Sequence, residues 1–446
     1  MTHSISISKK QLISKLKLLC THPAEGMADH KPMAGLVARL LCQTGFDVKT
    51  ISTAGAPIVL ARQGGRAPFT LLLYHHYDVA PSGPWREWQQ EPFQLGEREG
   101  KLFGRGVAHG KGPLVAQIQA IQALLKTEKE LPCRVVVVVE GEGLRGSPQL
   151  AKVLAHAPKM LRANACLSSG GERDPNGLPF CYSGSKGLVQ AQLRATGPTH
   201  PLPPGLAASV PNPIWRLVWA LNGIKGEDED IKLGGFYDDV EGPGKEDRAI
   251  LRKIILDEQS RHTAWGVPDF LFGMTGAALV RSEVTLPTCN VTAFRATPQH
   301  DLACVPTSAT AQLEFQLVPN QDPSVVLDLL RKHLGSRGFN DIQVEALPGN
   351  YFPARTDPSH PFVQSLVRSG EATYGSPLTV LPLGSFAQPL YLFTHYLRLP
   401  VAVLAMARHD SAVHGPNEQI PLEDLLNHGQ MLLALLRECA KGLGES

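Results

Sequence analysis

The sequence predicts an α/β protein built on a doubly wound mixed sheet, with a smaller α+β domain inserted into it. Three observations carry that prediction. Helical and extended patterns alternate from Gly35 to Ser169; alternation of this kind builds a sheet covered by helices on both faces. From about Leu188 the texture changes to alternating strands, a proline-rich loop and a charged stretch. After residue 350 strand-loop-helix alternation returns, so residues 1–187 and 351–446 form the first domain and residues 188–350 the insertion.

Taken in order, "MTHSISISKKQLISKLKLLCTHP" sets Leu12, Leu16, Leu18 and Leu19 among lysines, the pattern of a short amphipathic helix and not of a signal peptide. Gly35 to Cys42 belongs to a second helix, and "FDVKTIS" and "PIVLAR" look like strands. "FTLLLY" and "CRVVVVVE" are continuous apolar runs, as strands buried on both faces are. Between them "GPLVAQIQAIQALLKT" has helical spacing, with Pro113 suited to its first turn. "SPQLAKVLAHAPKML" predicts a helix and "ANACLSS" a strand. In the insertion, "LVQAQLRATG" and "ATAQLEFQLVP" alternate as half-buried strands do, and "IWRLVWALNGI" is helical. "LTVLPLGSFAQ", "PVAVLAMARHD" and the helix "LEDLLNHGQMLLALLRECA" complete the first sheet.

With 446 residues, 43% of them apolar and 19% charged, the chain can bury sizeable cores in more than one domain. A net charge of +2 and the lack of a basic stripe give no case for nucleic acid or an anionic membrane. No apolar run approaches the ~20 residues of a membrane span. Small molecules or peptides are the expected partners. The eight cysteines form no CxxC pair, and reduced thiols in a cytoplasm are the default expectation.

Four segments carry candidate chemistry. In "LLYHHYDVAP" a buried strand runs into His76 and Asp78, which share a face by period two, while His75 takes the other. A carboxylate beside a ligating imidazole fixes its ring and tautomer, and strand carboxyl ends are where open α/β sheets bind ligands. "KLFGRGVAHGKGP" is a glycine-rich loop before a helix and lacks the Lys-Ser/Thr ending of a phosphate loop; its His109 is either a surface histidine or a ligand brought to the same strand ends. In "VVVVVEGEGLRGSP", Glu140 and Glu142 leave a strand end as candidate bases or ligands, or as caps of the next helix. "MARHDSAVHGPNEQI" adds His409, Asp410 and His414 after an apolar strand.

Together with "VPNP", "GFYDDVEG", "LVPNQDP" and "LGS", these segments resemble the carnosinase and aminoacylase family of zinc metallopeptidases, which includes carboxypeptidase G and the succinyl-diaminopimelate desuccinylases. The resemblance covers nearly the whole chain and is closest in the dipeptidase branch. It implies a catalytic domain split around a lid domain, homodimers formed through that lid, and two zinc ions. His76 matches the first metal histidine, Asp78 the catalytic aspartate that orients it, and His414 the histidine of the second metal. Arg105, Gln316, Gly384 and Ser385 match positions on the substrate side.

Other positions depart from the family pattern. His109 stands where an aspartate bridges the metals, Gly143 and Leu144 where the paired glutamates supply the base and a ligand, and Gly170 near the remaining aspartate, with Asp174 a few residues too late. Gln316 replaces an arginine that grips the substrate carboxylate, a loss of bidentate charged contact. The lid histidine that crosses the dimer falls at Leu202, with His200 nearby. A two-zinc site and ordinary dipeptidase activity are therefore not expected. Two readings follow: a repurposed enzyme in which His76, His109 and His414 hold one divalent metal, zinc by donor type, and act on an amino-acid-derived or amide-like molecule; or a pseudoenzyme, a homodimer that binds a ligand or partner without turnover. An ordinary zinc dipeptidase or deacylase is the third alternative, if the motifs align in another register.

Overall fold

The computed structural model describes residues 5–26, 28–156, 159–298 and 303–442. Its frame is a mixed eight-stranded sheet in the order Asp47–Ile51, Ile58–Gln63, Leu131–Glu140, Gly65–His76, Ala165–Ser169, Val401–Leu404, Cys181–Tyr182, Val380–Leu381. The central strands Leu131–Glu140, Gly65–His76, Ala165–Ser169 and Val401–Leu404 run parallel. Their carboxyl ends therefore converge on one side, which places His76, Glu140 and Ser169 at a common edge. The continuous apolar runs in the sequence are these strands, buried on both faces.

One face is covered by Lys9–Cys20, Lys31–Gln43, Lys111–Glu128, Pro361–Tyr374 and Leu422–Ala440, whose apolar stripes join a single core with the sheet. Leu150–His156 and Leu390–Leu397 pack on the other face. The first of these is shorter than "SPQLAKVLAHAPKML" suggested, and Ala157 and Pro158 lie outside the described residues. Residues 1–4 of the N-terminal stretch likewise lie outside them.

A second, antiparallel sheet pairs Thr288–Thr297, Ser308–Leu317, Gly187–Thr196 and Gln343–Ala346 in that order. Helices Pro213–Ile224 and Pro323–Ser336 close its core from one side. The stretch 188–350 holds the small sheet and also residues that pack elsewhere. Leu251, Ile254, Val280 and Val284 pack into the core of the large sheet's second face, so the stretch holding these residues returns to the first domain before the chain re-enters the small sheet. Among the described residues no helix is long and apolar enough to cross a membrane, and all eight cysteines are free thiols.

Candidate functional site

His76 ends its strand with Nδ1 3.0 Å from the Asp78 carbonyl and 3.1 Å from Asp78 Oδ1. With Nδ1 donating there, Nε2 carries the free lone pair. Burial pulls the pKa of His76 down, but the hydrogen bonds and charge of Asp78 more than offset it and leave the ring above its ordinary value. Asp78 is itself fixed: Oδ1 accepts from Gly143 N at 3.1 Å and Oδ2 from Leu144 N at 2.9 Å. Both of its oxygens are engaged, so it orients His76 and is not a free ligand.

His109 reaches the same place from the glycine-rich loop, its ring 4.7 Å from that of His76 and 5.2 Å from that of His414. His414 Nε2 lies 3.2 Å from His109 Nδ1. Burial, with His76 and His414 beside it, holds the pKa of His109 well below normal, so this ring is neutral and able to donate a lone pair. Both histidine loops are tied to one carboxylate. Glu418 accepts from the backbone N–H of Gly106, Ala108 and His109 at 2.9, 2.9 and 3.2 Å, and from the Arg105 guanidinium at 3.0 Å. Arg105 in turn donates to the His414 carbonyl at 3.2 Å.

The three imidazoles line a cavity of about 570 Å³ between the two sheets. Gly143, Leu144 and Gly170 are on its wall. At Gly143 a Cβ would stand 2.7 Å from His76 Cβ, and at Gly170 2.6 Å from Gln388 Nε2, so neither backbone position has room for an acidic side chain with its neighbours as placed. Tyr74, also on the wall, donates its hydroxyl to Glu140 Oε1 at 2.6 Å. Burial pushes the Glu140 carboxyl up to about 7 and, with Glu140 beside it, the Tyr74 hydroxyl well above its ordinary value, so the hydroxyl keeps its proton and presents it to the carboxylate. Among the described residues no group of three or more His, Cys, Asp or Glu side chains is already arranged as a metal cage; the imidazoles are gathered but not closed around a point.

The structure brings His76, His109, His414 and Gln316 to one cavity and leaves other expected residues outside it. Arg105 is not on the wall: it is 1% exposed and spends its charge on Glu418, because the buried carboxylate that takes the loop's N–H groups needs a counter-ion. Gly384 and Ser385 also miss the wall, which is formed by the next residues, Phe386, Ala387 and Gln388. Asp174 accepts from Leu178 N at 2.7 Å in a turn, and Leu202 pairs with Val305 in the lid loop. His75 faces away, as period two requires, and lies 2.8 Å from Gln117. Sequence reasoning missed Glu418, Glu314 and Gln388. Glu418 was within reach, since it follows His414 in "HGPNEQI", but nothing in a loop glutamate marks it as a clamp.

A model of peptidase family M20/M25/M40 matches residues 72–438. The cysteinylglycine-S-conjugate dipeptidase of Corynebacterium striatum is 25% identical over 434 residues, spanning 94% of this chain and 93% of that protein. The Beta-Ala-His dipeptidase of Rattus norvegicus is 23% identical over 404 residues, spanning 86% and 80%. Among solved structures, an M20 family metallo-carboxypeptidase from Sulfolobus solfataricus has a TM-score of 0.88 at 29% identity, with 97% of this chain and 99% of that one covered. The chain belongs to peptidase family M20/M25/M40.

Proposed function

We propose that this member of the M20 peptidases is a repurposed enzyme in which His76, His109 and His414 hold a single divalent metal and act on an amide-like or amino-acid-derived small molecule. One observation carries the reading: Asp78 commits His76 Nδ1, and the facing nitrogens of His109 and His414 stand 3.2 Å apart. Two nitrogens each ~2.0–2.1 Å from a tetrahedral zinc lie about 3.3 Å from one another, so this pair fits one edge of such a site. The residues present do not fit two metals, since His109 stands where a bridging carboxylate is needed and Gly143, Leu144 and Gly170 put no acid at the other ligand and base positions on the wall.

The metal, when bound, would supply Lewis-acid polarisation of a carbonyl. The chain does the rest. Asp78 fixes the His76 ring, Glu418 holds the two histidine loops in register, and Tyr74 with Glu140 can hold a proton at the Tyr74 hydroxyl. A glutamate at position 143, where the family resemblance puts the base, would overlap His76. Ordinary dipeptide hydrolysis is accordingly expected to be absent or very slow.

The test is metal analysis of untagged, zinc-reconstituted protein together with His109→Ala and His414→Ala. Bound metal in the parent and its loss in both folded variants support the reading. A folded, metal-free parent would overturn it in favour of ligand binding without turnover. Zinc-dependent turnover of Cys-Gly or β-Ala-His, the dipeptides in the relatives' names, would return the chain to ordinary dipeptidases.

A further inference from the structure

Resting on the reading that this cavity is the ligand site, we propose that it selects a cationic small molecule, an ammonium or guanidinium compound, through the carboxylate of Glu314. The charges on the wall decide the sign. Glu172 is paired with Arg261 at 2.7 Å and Asp410 with Lys101 at 3.0 Å. Arg408, the arginine on the wall, gives its guanidinium to Asp424 at 2.7 and 3.0 Å. Glu314 differs from all of these. It lies opposite Gln190 across the strand pair, and its oxygens accept only amide N–H groups, from Gln190 Nε2 and Gln316 Nε2, each at 3.1 Å. Among the described residues it has no ion-pair partner.

Two amide donors hold a half-buried carboxylate in place without neutralising it, and a carboxylate so placed favours a charged donor over a neutral one. In the metal-free cavity an anionic ligand would meet this uncompensated charge and find no free guanidinium on the wall. A second acceptor points the same way. Gln388 is 9% exposed and on the cavity wall; its Nε2 donates to the Ser169 carbonyl at 3.2 Å, while its Oε1 has no partner. Tyr351 and Phe386 share the wall, and aromatic faces also favour organic cations.

The test uses three compounds of one chain length on metal-free protein: 1,5-diaminopentane, its di-N-acetyl derivative and glutarate, titrated calorimetrically at low salt. Binding of the diamine, at least tenfold tighter than either of the others and weakened tenfold or more in Glu314→Gln, supports the proposal. Equal affinity for the neutral compound, preference for glutarate, no diamine binding, or unchanged binding in a folded Glu314→Gln would each overturn it. Should that variant not fold, the wild-type preference among the three compounds decides. Because metal-free protein is titrated, failure here is distinct from failure of the metal reading.

Discussion

Glu418 shows how much one side chain can organise. Its carboxylate is 2% exposed and takes the Arg105 guanidinium together with three backbone N–H groups of the loop that carries His109. A buried acid with four donors is worth keeping only as a complete set, because removing its charge strands a buried guanidinium. Glu418→Gln is expected to cost about 3–5 kcal/mol, the range for breaking a buried ion pair, measured as a lowered urea midpoint. A midpoint unchanged within error would mean that the glycine loop is held by something else. The same geometry explains why Arg105, although it sits in the glycine motif, serves the loop and not a ligand.

At the scale of elements, the large sheet and its helices are joined beneath the site by a polar network. His75, from the strand Gly65–His76, lies 2.8 Å from Gln117 of the helix Lys111–Glu128, and Gln117 lies 3.0 Å from His428 of the helix Leu422–Ala440. Ser169 Oγ completes it, 3.1 Å from His428. Burial, helped by Arg173 and His75, lowers the His428 pKa to about 3. Between pH about 6.5 and 3 the unfolded chain therefore binds a proton at this residue that the folded chain does not, and stability falls as pH falls. One such imidazole contributes a slope of about 1.4 kcal/mol per pH unit. Urea unfolding across this range should show that slope reduced in His428→Asn; parallel curves would contradict it. Such elements were legible because a continuous apolar run or a 3.6-residue stripe reports burial directly, as in "CRVVVVVE" and "LEDLLNHGQMLLALLRECA". The return of Leu251, Ile254, Val280 and Val284 to the first domain was not, since an apolar residue says that it is buried and not against what.

At the scale of the molecule, the site is a cavity roofed by the small sheet and floored by the strand ends of the large one. The histidines were legible, because His76, His109 and His414 each follow a recognisable loop or strand end. The cavity's charge was not, because it depends on which acids find partners: Glu172 meets Arg261, 89 residues away, and Glu314 meets only amides. The central claim is a site for one metal built from three imidazoles. Zinc-reconstituted protein, freed of loose metal and analysed by mass spectrometry against protein concentration, measures it directly. One zinc per chain is the predicted result; two per chain would contradict the account and restore a dinuclear peptidase centre.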